Sequence, residues 1–294
     1  MNTLTKNVIL TPFNILYKIS PRITLKILFR LKQGYRLNLD CPKTYNEKLQ
    51  WIKLYDRNPL MTKCCDKYAV REYVQSKGYG SLLNELLWEG FNPEKIPFDD
   101  LPDKFVIKAT HGSTFNIICT DKNKLDREET IAKCKEWLKA KFLPCYGEWF
   151  YGIEKPRIVI EKYIESKNPY GLLDFKFFCF NGKVKCVYVS TSKEVDESYC
   201  IDYYDENWNY MPLRRKGHKS LGTIEKPKRF FEMKKIAEDL SRDFLHVRID
   251  FFCEDDTIVF GEMTFTTSAG FGKIDPIEFD YKMGSWLELP LKNK

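Results

Sequence analysis

Lys108 closes a short apolar run, Phe105-Val106-Ile107-Lys108, and a lysine in that position is costly to bury unless something anionic meets it. The loop that follows, His111-Gly112-Ser113-Thr114, is small and polar. Gly112 lets the backbone come close to a ligand, and Ser113, Thr114 and the loop amides are donors suited to phosphate oxygens, with His111 a further phosphate or substrate contact. The pattern is not a P-loop, and taken alone it describes a hairpin tip with an exposed lysine equally well. A second group is Arg157-Ile158-Val159-Ile160-Glu161-Lys162-Tyr163-Ile164, a strand running into a segment whose backbone groups suit an adenine edge. Asp174 and Lys176, two apart, share one face of the next strand and offer a carboxylate to a ribose and an ammonium to a phosphate; the alternative is an exposed ion pair. A third group is Arg248-Ile249-Asp250 with Gly261-Glu262-Met263-Thr264. If these lie on paired strands, alternation puts Arg248 with Asp250 and Glu262 with Thr264, and two carboxylates so placed repel unless a cation sits between them. Magnesium, a hard ion that takes oxygen ligands, is the expected occupant, and Arg248, which keeps its charge, would steady negative charge at a reacting centre.

The elements that must hold these groups are legible from periodicity and turn chemistry. Thr44 and Glu47 form a capping box for a helix through Leu49, Trp51, Ile52 and Leu54. A single second helix is expected from about Thr62 through Val74 to Gly78, with Asp66, Lys67 and Arg71 on one face in an internal ion-pair network. Strands are expected at 105–108 and 116–120, around a tip at 110–114, and at 157–161. Strands 174–179 and 183–190 pair across Asn181-Gly182, a strong hairpin signal. Helices are expected over about 126–140, capped by Asp126, and 227–240, before a last strand pair at 247–252 and 257–262. Hairpins with helices laid on them make an α+β plan. The basic stretch 214–219, which contains His218, reads as a mobile loop, or as a clamp over the site.

The chain has 294 residues, 43% hydrophobic and 15% aromatic, enough for a sizeable core. Its ten cysteines include no Cys-x-x-Cys pair, which disfavours zinc, and several sit inside apolar strands, which points to a reducing cytoplasm. The net charge of +7 is local: residues 1–36 hold seven Lys and Arg and no acid, and the rest of the chain balances. That excludes nucleic acid as the expected partner. From Pro21 a helix would carry Arg22, Lys26 and Arg30 on one stripe and Ile23, Ile27 and Leu31 on the adjoining one. No stretch approaches the length that crosses a bilayer. The apolar stripe is expected to pack on the body, the alternative being that this arm lies on the inner membrane surface.

Five segments taken in order, Thr44–Trp51, Asp66–Arg71, Leu101–Lys108, Asp174–Gly182 and Gly261–Phe265, resemble the TupA-like branch of the ATP-grasp superfamily, named for teichuronopeptide synthesis and found in bacterial surface-polysaccharide loci. The resemblance covers about residues 40–290. It implies an ATP-grasp fold in which two lobes grip ATP: an arm (1–40), a helical substrate-side region (41–104), a small lobe (105–165) and a C-terminal lobe with the metal site (166–294). By position, Lys108 would contact nucleotide phosphates and 112–114 would cover them, while Glu161, Lys162, Tyr163 and Ile164 hold adenine. Asp174 would face the ribose, Lys176 a phosphate, and Arg248 the reacting carboxyl; Asp250, Glu262 and Thr264 would bind Mg2+. Thr264 replaces a frequent Asn, and Thr114 a frequent Gly. The implied activity is an ATP-dependent carboxylate–amine ligase working through an acyl phosphate, joining an amine to a carboxyl-bearing sugar. The alternatives are an ATP-grasp phosphotransferase, a polysaccharide-locus glycosyltransferase, or a membrane-associated scaffold without turnover.

Overall fold

The computed structural model describes residues 3–192, 199–213 and 218–290, the side chains of 3–9 aside. The basic stretch 214–217 falls outside the described residues. Among the described residues ten strands form two antiparallel sheets. The smaller contains β1 (Leu86–Gly90), β2 (Phe105–Ala109), β3 (Asn116–Cys119) and β4 (Ile158–Lys162), in the order β1-β4-β2-β3. The larger contains β5 (Asp174–Phe180), β6 (Lys183–Ser190), β7 (Ile201–Asp205), β8 (Tyr210–Met211), β9 (His246–Glu254) and β10 (Thr257–Thr264), in the order β10-β9-β5-β6-β7-β8. The hairpin between β5 and β6 turns on Asn181 and Gly182, both left-handed, as the Asn-Gly pair requires. Three strands had no clear signature. Strand β1 is an edge strand, half-buried throughout, lying inside a segment read as helical and loop-rich, and β7 and β8 are short.

The helices are α1 (Thr3–Ile19), α2 (Pro21–Gln33), α3 (Tyr45–Tyr55), α4 (Leu60–Cys64), α5 (Val70–Ser76), α6 (Arg127–Lys139), α7 (Phe230–Ser241) and α8 (Ile277–Trp286). Both halves of the Thr44–Glu47 capping box form. The single helix expected after residue 62 is instead two, α4 and α5. The Asp66 carboxylate accepts the amides of Tyr68 and Ala69, and the Lys67 amide donates to the Thr110 carbonyl, so the backbone leaves the helix there to meet the loop after β2.

Helix α2 corrects a second expectation. Its buried side chains are Thr24, Leu25, Leu28 and Phe29, whereas Ile23, Ile27 and Leu31 are 52%, 39% and 69% exposed. The stripe expected to pack on the body therefore faces outward. Leu25, Leu28 and Phe29 instead join Leu37, Leu39, Cys145 and Phe271 in a small core that seats the arm on the body.

Alternation sorts the faces of the large sheet. Phe175, Phe177, Val247, Ile249 and Phe251 point to the core, where Phe177 stacks on Phe230 of α7, while Asp174, Lys176, Arg248 and Asp250 lie on the opposite face. His246 is buried near the end of β9, with Nδ1 donating to the Cys179 carbonyl and Nε2 accepting from the Tyr45 hydroxyl, each at 2.8 Å. Burial, with Arg248 adding to it, holds its pKa down at about 3. Because the unfolded imidazole takes up a proton near pH 6.5 and the folded one does not, this residue's contribution is present above that pH and lost on acidification. Going from about pH 7 to about pH 5 is expected to cost about 2 kcal/mol through this group. Urea unfolding at both pH values should show that loss in the native protein and a correspondingly smaller one in His246→Gln.

Candidate active site

The register of the large sheet builds a row of charge across three strands. Lys176 on β5 lies opposite Asp250 on β9, and Asp250 lies opposite Glu262 on β10. The facing of Glu262 and Asp250 depends on a bulge. Between Phe260 and Glu262 the register of β10 shifts by one at Gly261, so that Glu262, and not its neighbour, meets Asp250. A Cβ on Gly261 would lie 3.0 Å from the Asp250 carbonyl oxygen, which explains a glycine at this close approach.

The cation between the two carboxylates is Arg248. Its Nε and NH2 donate to both oxygens of Asp250 at 2.7 and 2.6 Å, and NH2 also reaches Glu262 at 3.0 Å. The repulsion that suggested a metal is thus relieved by the protein itself. Lys176 donates to Asp250 at 2.7 Å and to Asp174, and the Thr264 hydroxyl donates to Glu262 at 3.1 Å. Burial opposes ionisation of Glu262, yet Lys67, Arg248 and Lys176 outweigh it and hold the carboxyl at about 2. For Asp174 burial prevails over the pull of Lys176 and raises it to about 6. Burial would lower Lys176, but Asp250 and Asp174 more than offset it, so the ammonium stays protonated.

The small sheet supplies the facing charges. Lys108 pairs in register with Val159, which places Glu161 diagonally on the same face, and Lys108 Nζ donates to Glu161 at 2.7 Å. Arg71 approaches the other Glu161 oxygen at 3.6 Å. The anion that meets Lys108 in this structure is therefore Glu161. The loop after β2 has Gly112 at φ 76° and Thr114 at φ 67°, so the threonine adopts the left-handed backbone that glycine takes without cost. Lys67 secures this loop by donating to the Gly112 carbonyl at 2.8 Å, and its Nζ lies 3.7 Å from Glu262. Lys67 and Arg71 do form an ion-pair network, but it joins the two sheets through Glu262 and Glu161.

Two clefts meet here. One of about 220 Å3 lies between the sheets and is lined by Lys67, Lys108, Ser113, Thr114, Asp174, Lys176, Asp250 and Glu262. The other, about 260 Å3, shares Lys67, Ser113 and Glu262 and extends past Arg248, Thr264 and Tyr188 to the loop 266–269. That loop is held from beneath. Lys53, fully buried, donates to the carbonyls of Tyr146 and Ala269 at 2.6 and 2.8 Å, and the Thr266 hydroxyl donates to Glu148 at 2.5 Å.

Two expected contacts are not formed. His111 is buried between Phe115 and Phe142 and its Nε2 donates to the Ala140 carbonyl, so it anchors the loop and does not line either cleft. Lys162 has its amide bound to the Glu85 carbonyl, its carbonyl to Asn84 and its ammonium to Glu85, which leaves Tyr163 and Ile164 as the segment's uncommitted backbone. Lys67 lines both clefts, a placement the sequence concealed. Its signal was Asp66, whose side chain breaks the helix and turns the next residue toward the site.

Magnesium suits the chemistry of the donor set: Asp250, Glu262 and Thr264 offer hard oxygens from two paired strands. Among the described residues no group of three or more His, Cys, Asp or Glu converges as a preformed metal cluster.

Two antiparallel sheets delivering lysines and carboxylates to one intervening cleft, beside a small-residue loop, define an enzyme of the ATP-grasp class. Residues 47–288 match the family described as TupA-like ATPgrasp, and the chain belongs to that family. No curated protein matches the sequence. Solved structures similar to it include a D-alanine–D-alanine ligase from Bacillus anthracis, at 18% identity over 69% of this chain and 57% of that one, with a TM-score of 0.41. An L-amino acid ligase from Bacillus licheniformis is 12% identical over 86% of this chain and 56% of its own, with a TM-score of 0.45. The chain thus spans a little over half the length of these ligases, and the assignment stands on the family match.

Asp250 is the hinge of the charge row, so Asp250→Ala leaves Arg248 and Lys176 buried against each other and is expected to cost about 3–5 kcal/mol. Unchanged urea unfolding would show that Asp174 and Glu262 take over both cations. Thr114→Gly is expected to act oppositely, adding up to about 1 kcal/mol by removing the left-handed strain; an unchanged unfolding midpoint would show that the threonine's conformation is not costly.

Proposed function

We propose that the protein is an ATP-dependent carboxylate–amine ligase that forms an amide through an acyl phosphate. The observation that carries this reading is Arg248, which lines the second cleft and donates to Glu262, a carboxylate shared by both clefts; there it would lie next to both a transferred phosphoryl group and an acceptor carboxyl. Lys108, Lys176 and Lys67 would take nucleotide phosphates, each exchanging an internal carboxylate for a phosphate oxygen, and the loop 112–114 would cover them. Tyr163 and Ile164, with Glu161 and Lys162 beside them, would hold the adenine; Asp174 Oδ1 would accept from a ribose hydroxyl. Asp250, Glu262 and Thr264 would hold Mg2+, which when bound supplies charge neutralisation at the phosphates.

In the first step an acceptor carboxylate oxygen attacks the γ-phosphorus and ADP leaves with the bonding pair. In the second an amine lone pair attacks the acyl carbon, phosphate leaves, and the nitrogen's proton passes to solvent. Arg248 offsets the charge that builds on the acyl oxygens. The protein's part is positioning and fixed charge, with no covalent chemistry of its own. The second cleft is the acceptor side. The family's association with teichuronopeptide synthesis favours a carboxyl-bearing sugar of a bacterial surface polysaccharide, or its precursor, as the carboxylate, and an amino acid or similar amine as the nucleophile. Dependence on ATP sets the reaction in the cytoplasm.

ADP release is expected to require both a uronic acid and an amine, and hydroxylamine in place of the amine should yield a hydroxamate, which a phosphotransferase acting on a hydroxyl or a phosphate cannot give. Lys108→Ala and Glu262→Ala are each expected to lower turnover about a hundredfold or more. ADP release without either substrate, or full activity in Glu262→Ala, would refute the reading.

A further inference from the structure

We propose that helices α1 and α2 form a docking surface for an anionic lipid membrane. The outward side of this helical pair carries two bands that globular packing does not explain. On α2, at about 100° per residue, Arg22, Lys26 and Arg30 occupy one stripe and Ile23, Ile27 and Leu31 the next, and all six are exposed. The buried side of the same helix, Thr24, Leu25, Leu28 and Phe29, is diametrically opposite the boundary between the two stripes. The pattern continues across the Ser20 junction, where Ile15 and Ile19 of α1 are 58% and 77% exposed beside exposed Lys18. Elsewhere among the described residues, Ile118, Ile153 and Ile277 are the comparably exposed isoleucines and leucines, and they are scattered.

Charge complementarity selects the occupant. Residues 1–36 contain seven basic residues and no acid, while the remainder of the chain is balanced. Another copy of the chain would bring a second basic band against the first, and like charges facing each other oppose that pairing. Anionic headgroups match the basic band while the acyl boundary receives the isoleucines, the arrangement that holds an amphipathic helix in an interface plane. No helix among the described residues is long and apolar enough to cross a membrane.

The platform is firmly built, which separates it from a frayed terminus. Ser20 caps α2 and Pro21 starts it, Gly34 ends it in the left-handed conformation, and the Asn14 side chain accepts the Cys145 amide at 3.0 Å. It also sits beside the acceptor cleft: Phe271 packs in the same small core as Leu25, Leu28 and Phe29, and Gln33 donates to the Gly272 carbonyl. A membrane on the outward face would lie across the helix, about 10 Å away, from the loop 266–272.

The test is sedimentation of the full chain with phosphatidylglycerol–phosphatidylcholine vesicles and with pure phosphatidylcholine vesicles, together with its oligomeric state by light scattering. Partition is expected onto the anionic vesicles only, weakened by salt, and lowered about tenfold or more in Ile23→Ser/Ile27→Ser/Leu31→Ser and in Lys26→Glu/Arg30→Glu. All five positions are exposed, so folding and nucleotide binding should be unchanged. Equal partition onto neutral vesicles, no sedimentation with either, or self-association that the serine variant abolishes would each overturn the proposal. Vesicle binding is read without turnover, so its failure is distinct from failure of the ligase reading.

Discussion

The Arg248–Asp250 contact is the constraint around which the site is arranged. A guanidinium and a carboxylate two residues apart on one strand are both almost fully buried, and each would be prohibitively costly there alone. Together they satisfy one another on one edge and leave a second edge of each for partners: Glu262 for the arginine, Lys176 for the aspartate. Adjacent strands must then present those partners in register, which fixes β5, β9 and β10 relative to each other. The bulge at Gly261 is the means by which β10 complies. Without it, alternation would turn Glu262 to the core face beside Ile249, where no cation waits.

The same economy of charge would let the proposed nucleotide site exist before its ligand. Lysines 67, 108 and 176 each rest on a carbonyl or carboxylate of the protein, so none is buried uncompensated. In the proposed reaction those resting contacts would be exchanged for phosphate oxygens. Fixed charges already in place need little rearrangement, and this preorganisation is what makes electrostatic stabilisation effective in phosphoryl chemistry. Lys67 and Arg71 extend the logic across the cleft, tying the small sheet and its loop to the large one through carboxylates of both.

The loops show where local strain and tertiary support balance. Thr114 is held in a left-handed conformation by a short loop whose other residues are pinned by Lys67 and His111. Ser268 and Ala269 are left-handed as well, and the buried Lys53 ties the Ala269 carbonyl to that of Tyr146. Both loops line the clefts. Non-glycine residues in that region persist only where surrounding contacts over-determine them, and here the contacts come from elements distant in sequence.

Much of the local architecture was written in the chain. Asn181-Gly182 determined a hairpin, Thr44 with Glu47 a helix start, and the pairing of 247–252 with 257–262 followed from length and alternation, because these signals act over a few residues. Five segments taken in order sufficed for the family. What tertiary structure decided is which partner each charge finds. Lys108 rests on Glu161, Arg248 spans two carboxylates, Lys67 leaves its helix for the cleft, His111 turns inward to Ala140, and α2 buries Leu25, Leu28 and Phe29 while presenting Ile23, Ile27 and Leu31 outward. Periodicity can say that a helix has two apolar flanks or that a strand has two faces. Only the position of the rest of the protein selects between them, since burial and ion pairing are set by groups up to a hundred residues or more away along the chain.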